Sequence, residues 1–202
     1  MGDEILDCRG LACPQPVLRV KEILERGDVS QLTVKVDNEA ARENVSRFMA
    51  RMGLEVKALA AEGGFEVTGT RGAGAEACEV MFPDEPAAGA KKIAVLVGTD
   101  RMGSGDDVLG TKLLFNFIGT LKEMGPELWR LIFLNAGVKL TIEGSDSLPA
   151  LQELAGSGIH IMVCGTCLNH FNLLEQKRVG ETTNMLDIVT ALQLADKVIS
   201  FT

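Results

Sequence analysis

The chain has 202 residues, 46% of them hydrophobic and 24% charged, with a formal charge of -8. That length holds one large domain or two small ones, and the composition is ordinary for a globular protein. The acidic balance argues against a nucleic-acid surface, which needs a basic patch for phosphates.

The predicted elements start with a short strand at Ile5-Leu6. A helix follows from about Pro14 to Arg26, with Val17, Val20 and Leu24 on one face and Gly27 as its stop. Leu32 to Val36 alternates as a half-buried strand. Asp37 or Asn38 caps the next helix, whose core stripe is expected at Ala41, Val45, Phe48 and Met52. Gly53 ends it, and strands at Glu55–Ala60 and Phe65–Thr70 flank a turn at Glu62-Gly63-Gly64. Residues 1–70 therefore form a first β-α-β-α-β-β domain.

Residues 71–90, RGAGAEACEVMFPDEPAAGA, lack periodicity and predict a linker that contains Cys78. Residues 91–202 restart with KKIAVLVGTD, a buried strand of the parallel type. A helix over Asp107–Met124 is expected to bury Leu109, Leu113, Phe117, Leu121 and Met124. Leu131–Leu134 is a strand, and Ser145 or Ser147 caps a short helix through Leu154. A strand at Ile159–Val163, a helix at Met185–Ala195 and a strand at Val198–Phe201 complete the pattern. Strands alternating with helices predict a mainly parallel three-layer α/β sheet.

No segment approaches the ~18 apolar residues of a membrane span. Met1-Gly2-Asp3-Glu4 has no apolar run after it, so no secretory signal is expected. The expectation is a cytoplasmic protein with no membrane and no nucleic-acid partner. Its five cysteines, an odd number without a framework spacing, are then reduced thiols.

Two thiol sites stand out. In DCRGLACPQPVLRV, Cys13 precedes a helix N-terminus, where partial positive charge favours a thiolate. Pro14 and Pro16 fit the first turn, where a missing N–H costs little, and they hold the thiol in place. Arg9 could add positive charge. Cys8 reads as a structural strand-end residue. In GIHIMVCGTCLNHF, Cys164 and Cys167 follow a strand, at the carboxyl edge where open α/β sheets bind ligands. Asn135, Thr166 and the loop GTDRMGSGDD share that rim, so they could surround Cys164. Sulfur or selenium transfer, a thiol–disulfide switch, and zinc held by Cys164, Cys167 and His170 all fit this spacing. His160, inside the strand, reads as structural. The glycine-rich loop is no phosphate loop: it has no lysine, and Asp106 and Asp107 would repel phosphate.

Asp7-x-Arg9-Gly10-Leu11-x-Cys13-Pro14-x-Pro16 resembles the signature of the TusA/SirA-like family over residues 4–70. The resemblance implies a sulfur carrier whose Cys13 holds a persulfide and hands it to a partner. MGSGDDVLG, FLNAGVKLT, CGTCLNHF and NMLDIVTAL, in that order, resemble a DsrE/DsrF-like domain over residues 91–202. The fusion resembles the YedF group, described as selenium-metabolism proteins. These resemblances imply donor and acceptor proteins for sulfur or selenium, and a homo-oligomer formed through the second domain. The expected mechanism is a relay from Cys13 to Cys164 across the linker, with Cys167 resolving the product as a disulfide, and nothing in it requires an organic cofactor. A ~20-residue linker suits a swinging carrier. A redox switch and a regulatory protein-binding module are the alternatives.

Overall fold

A computed structural model describes residues 2–71 and 91–202. They fall into two compact units, each with its own sheet. The predicted linker and Cys78 lie outside the described residues, apart from Arg71.

The first unit runs β1 (Gly2–Asp7), α1 (Gln15–Arg26), β2 (Val29–Val36), α2 (Glu39–Arg51), β3 (Leu54–Ala61) and β4 (Gly64–Arg71). The sheet order is β1-β2-β4-β3. β1 and β2 are parallel, as the α1 crossover requires, and the β3–β4 hairpin pairs antiparallel onto β2. Both helices pack against each other and against the sheet, giving two layers. Val17, Val20 and Leu24 are buried as their spacing predicts, and Gly27 closes α1 in the left-handed conformation. Asn38, not Asp37, caps α2: its side chain accepts the Ala41 N–H at 2.9 Å. The stripe on α2 differs from the expected one. Ala40, Asn44, Val45, Phe48 and Met49 are buried, while Ala41 and Met52 are half-buried. Leu54 and Val67 on the sheet complete this core.

The second unit is β5 (Ile93–Val97), α3 (Asp107–Thr120), β6 (Leu128–Phe133), α4 (Leu148–Gly156), β7 (His160–Cys164), α5 (Gly165–His170), β8 (Glu181–Thr183), α6 (Met185–Leu194) and β9 (Lys197–Phe201). Its five strands are all parallel, in the order β8-β7-β6-β5-β9. The chain steps outward from β5 to β8 and then returns across the sheet to β9. Right-handed crossovers put α3, α4 and α5 on one face and α6 on the other, which makes three layers. Strand β8 was not visible as a strand in the sequence because it has only three residues. The α3 face also corrects the expectation. Gly110, Leu114, Ile118 and Leu121 are buried, while Leu109 and Leu113 are 55% and 43% exposed. α3 is apolar on several sides, so periodicity alone does not fix its rotation. Gly110 does: a Cβ there would lie 2.9 Å from the Met102 carbonyl oxygen, so this face can pack tightly on the loop after β5. The helix ends at Thr120, and Leu121–Glu127 continues as a 3₁₀ stretch around Gly125.

Candidate functional site

Parallel strands bring their carboxyl ends to one rim. Val97, Phe133 and Val163 are register partners there, and Cys164 pairs with Thr183. Two residues beyond β6 the chain enters a 3₁₀ turn, Asn135–Thr141. Asn135 has φ +43°, a left-handed conformation that asparagine tolerates better than most residues. Gly137 lets the turn close. A Cβ there would sit 2.3 Å from the Val97 carbonyl oxygen, which already accepts the Leu134 N–H at 2.9 Å. The turn aims the Asn135 N–H at Cys167, and it donates to Cys167 Sγ at 3.1 Å.

Cys164, the last residue of β7, is buried, and Cys167 on α5 is half-buried. The two thiols are hydrogen-bonded. The Cys164 side chain is the largest influence lowering the Cys167 thiol to about 6. Burial opposes the shift, while the Asn135 N–H and the charge of His170 add to it. The pair thus holds one thiolate close to the second thiol. Cys167 is the accessible and acidified member. Spacing alone does not distinguish it from Cys164.

The structure brings Cys164, Cys167 and Asn135 together. Asn135 contributes through its backbone N–H. Thr166 is exposed on α5 between the cysteines. Among the described residues no group of three His, Cys, Asp or Glu side chains is placed to hold a metal ion. His170 instead has its ring edge-on to Phe171, centroids 5.0 Å apart. His160 sits at the start of β7 with Nε2 3.3 Å from Glu181 Oε2, a strand-to-strand contact.

In the first unit Cys13 is half-buried, directly before Pro14, the residue that precedes α1. The Cys13–Pro14 peptide is cis, and Pro16 is buried in the first turn of the helix. Arg9 is paired with Asp7. Its Nε and Nη2 donate to the Asp7 carboxylate at 3.0 and 2.6 Å, and that bond holds Asp7 down at about 2. Asp37, which the sequence offered only as a cap, accepts the Gly10 N–H at 2.5 Å and so ties down the loop that leads to Cys13. Cys8 is buried and its N–H donates to the Lys35 carbonyl at 2.8 Å. Burial pushes its thiol up, as suits a structural residue.

Comparison with known proteins follows these two units. Residues 4–71 match the family model described as sulfurtransferase TusA, and residues 91–201 match the DsrE/DsrF-like family. A SirA-like protein from Desulfitobacterium hafniense is 33% identical, over 34% of this chain and 97% of its own, with a TM-score of 0.32. The ychN protein from E. coli is 19% identical, over 55% of this chain and 99% of its own, with a TM-score of 0.44. A conserved protein of unknown function from Bacteroides thetaiotaomicron is also 19% identical, over 55% of this chain and 95% of its own, with a TM-score of 0.40. No curated protein matches the chain. Among the described residues no helix is long and apolar enough to cross a membrane.

Proposed function

The chain belongs to the DsrE/DsrF-like family and carries a TusA-type domain ahead of it, which implies sulfur carriage or transfer, and on that footing we propose a persulfide relay ending at Cys167. A donor protein loads Cys13 with a sulfane sulfur. The Cys167 thiolate attacks the outer sulfur of the Cys13 persulfide. A new S–S bond forms at Cys167, the old one breaks, and its electron pair leaves on Cys13 as thiolate. The hydrogen travels with the transferred sulfur, so the step is redox-neutral. Selenium in place of the outer sulfur follows the same path.

One observation carries the choice of Cys167: its Sγ accepts the Asn135 N–H at 3.1 Å. A donor aimed at the sulfur stabilises the attacking thiolate before reaction. The sequence suggested Cys164 as acceptor and Cys167 as resolver. Burial of Cys164 supports the reverse order, because an incoming persulfide reaches the half-buried thiol first. Cys164, once deprotonated, attacks the inner sulfur of the Cys167 persulfide. That forms a Cys164–Cys167 disulfide and releases hydrosulfide. The same adjacency supports a second reading, a thiol–disulfide switch that never holds extra sulfur. Protein partners donate and accept the atom in the cytoplasm, and the exposed apolar side chains of α3 supply an oligomer contact.

The test is peptide-resolved mass spectrometry of the reduced protein after incubation with a persulfide donor. One added sulfur is expected on the Cys13 peptide, then on the Cys167 peptide, with Cys164→Ser accumulating the second. A Cys164–Cys167 disulfide with no added sulfur anywhere selects the switch.

A further inference from the structure

In the resting pair the Cys164 S–H has an acceptor, the Cys167 thiolate. That acceptor is lost once Cys167 carries a second sulfur. Cys164 must then release its proton to attack, because the thiolate is the nucleophile. We infer that Thr183 and Asp187 take that proton, with Asp187 as a positioning residue that acts through the Thr183 hydroxyl. The inference rests on the reading above that Cys164 attacks a sulfur held on Cys167.

Strands β7 and β8 set the two side chains next to each other. Cys164 and Thr183 are register partners in this parallel pair. Partners of this kind lie about 4.8 Å apart and present their side chains to the same face of the sheet. Both residues are buried, so a protein group is the acceptor at hand rather than bulk water. The Thr183 hydroxyl donates to Asp187 Oδ2 at 3.2 Å. A hydroxyl has one hydrogen and two lone pairs. With its hydrogen on Asp187, Thr183 keeps its lone pairs for a neighbouring S–H.

Asp187 is itself buried, in the first turn of α6. Asn184 Nδ2 donates to the same Oδ2 at 3.0 Å, and Asn184 Oδ1 accepts the Asp187 N–H at 3.1 Å. These bonds and the positive end of the helix hold the carboxylate in place. Asn184 already caps α6, so the acid is not required to start the helix.

In the resolving step the Cys164 S–H bond breaks. Its proton passes to Thr183 Oγ1 as the Thr183 hydrogen passes to Asp187. The Cys164 sulfur bonds to the inner sulfur of the Cys167 persulfide, and the old S–S bond breaks. Its electron pair leaves on the outer sulfur, which keeps its own hydrogen, as hydrosulfide. Asp187 then returns the proton to solvent. The two cysteines end oxidised as a disulfide and the sulfane sulfur ends reduced to sulfide, so no outside oxidant enters.

The test uses the full chain with Cys13 and Cys78 as serine, and 2,2′-dipyridyl disulfide in place of a persulfide. Cys167 attacks the probe and releases a first thione. Cys164 then attacks the Cys167 sulfur of the mixed disulfide and releases a second. The ratio of the second rate to the first isolates the inferred step. Thr183→Val and Asp187→Asn are expected to lower that ratio at least tenfold, as loss of a proton acceptor does. Thr183→Ser keeps the hydroxyl and should stay within about threefold of the parent. Either of the first two variants that keeps the parent melting temperature decides the matter. A purely structural role would slow both releases together and leave the ratio unchanged, which would overturn the inference. So would a Thr183→Ser ratio as low as that of Thr183→Val. A parent that releases only one thione overturns the resolving role of Cys164 as well, whereas two thiones in the parent with unchanged ratios in the variants overturn this inference alone.

Discussion

Removing Cys164 tests how the rim acidifies Cys167, because the Cys164 side chain is the largest influence holding that thiol near 6. In Cys164→Ala the thiol returns toward an ordinary value of about 8.5. At pH 6 a thiol with its midpoint at about 6 is half ionised, and one at about 8.5 is ionised to roughly 0.3%, a ~160-fold loss of thiolate. Part of that loss is offset, because a more basic thiolate is the better nucleophile. With a Brønsted slope of about 0.45, a rise of about 2.5 in pKa gives roughly a 13-fold gain. The net expectation is a variant ~12-fold slower at pH 6 and ~10-fold faster at pH 9, with the two profiles crossing between about pH 7 and 8. The assay is initial thione release from 2,2′-dipyridyl disulfide, in a background where Cys13 and Cys78 are serine. A single pH near neutrality would show little difference, so the full profile is the measurement. Superimposed profiles would refute the role given to Cys164, and a parent midpoint near 8.5 would refute the acidified thiol itself.

Gly137→Ala forces a methyl toward the Val97 carbonyl, 2.3 Å from where it would sit, and should cost about 1–3 kcal/mol while raising the Cys167 midpoint, read by thermal melting and the same profile. Gly156→Ala, where a Cβ meets nothing within 4 Å, should leave both unchanged or stabilise slightly. The lowered Cys167 thiol also makes stability pH-dependent. Between about 6 and 8.5 the unfolded thiol keeps its proton and the folded one has lost it, so stability should rise with pH across that window in the parent chain and not in Cys167→Ser, checked by urea melts. Asn184→Ala removes the cap of α6, whose side chain accepts the Leu186 and Asp187 N–H groups at 2.9 and 3.1 Å and donates to the buried Asp187 carboxylate at 3.0 Å. A cost of about 1–3 kcal/mol is expected in the same melts. In the first unit, Arg9→Gln should move the Asp7 midpoint from about 2 back toward about 3.9, followed by NMR titration of the carboxyl carbon.

The two-unit order, the parallel sheet and the places of Cys13 before α1 and of Cys164 at the end of β7 were legible because each rests on local pattern. Strand alternation, glycine stops and the spacing of Val17, Val20 and Leu24 need no knowledge of distant residues. What stayed hidden depends on contacts between segments far apart in the chain. The rotation of α3 is one case, since Gly110 shows its purpose only once Met102 lies against it. The charge on Arg9 is another: sequence proximity offered it to Cys13, but Asp7, two residues away on the strand end, makes the better-aligned partner. The most consequential case is Asn135. Its place after a strand put it on the rim near Cys164, with nothing to say which of its groups would be used. The structure uses its tolerance of a left-handed backbone, so that an amide N–H thirty-two residues earlier in the chain reaches Cys167. A Cys-x-x-Cys spacing is symmetric in the sequence. The asymmetry comes from the surroundings: Cys164 ends β7 and is buried, while Cys167 is half-buried and lowered by the Cys164 side chain first, with the Asn135 N–H adding to it.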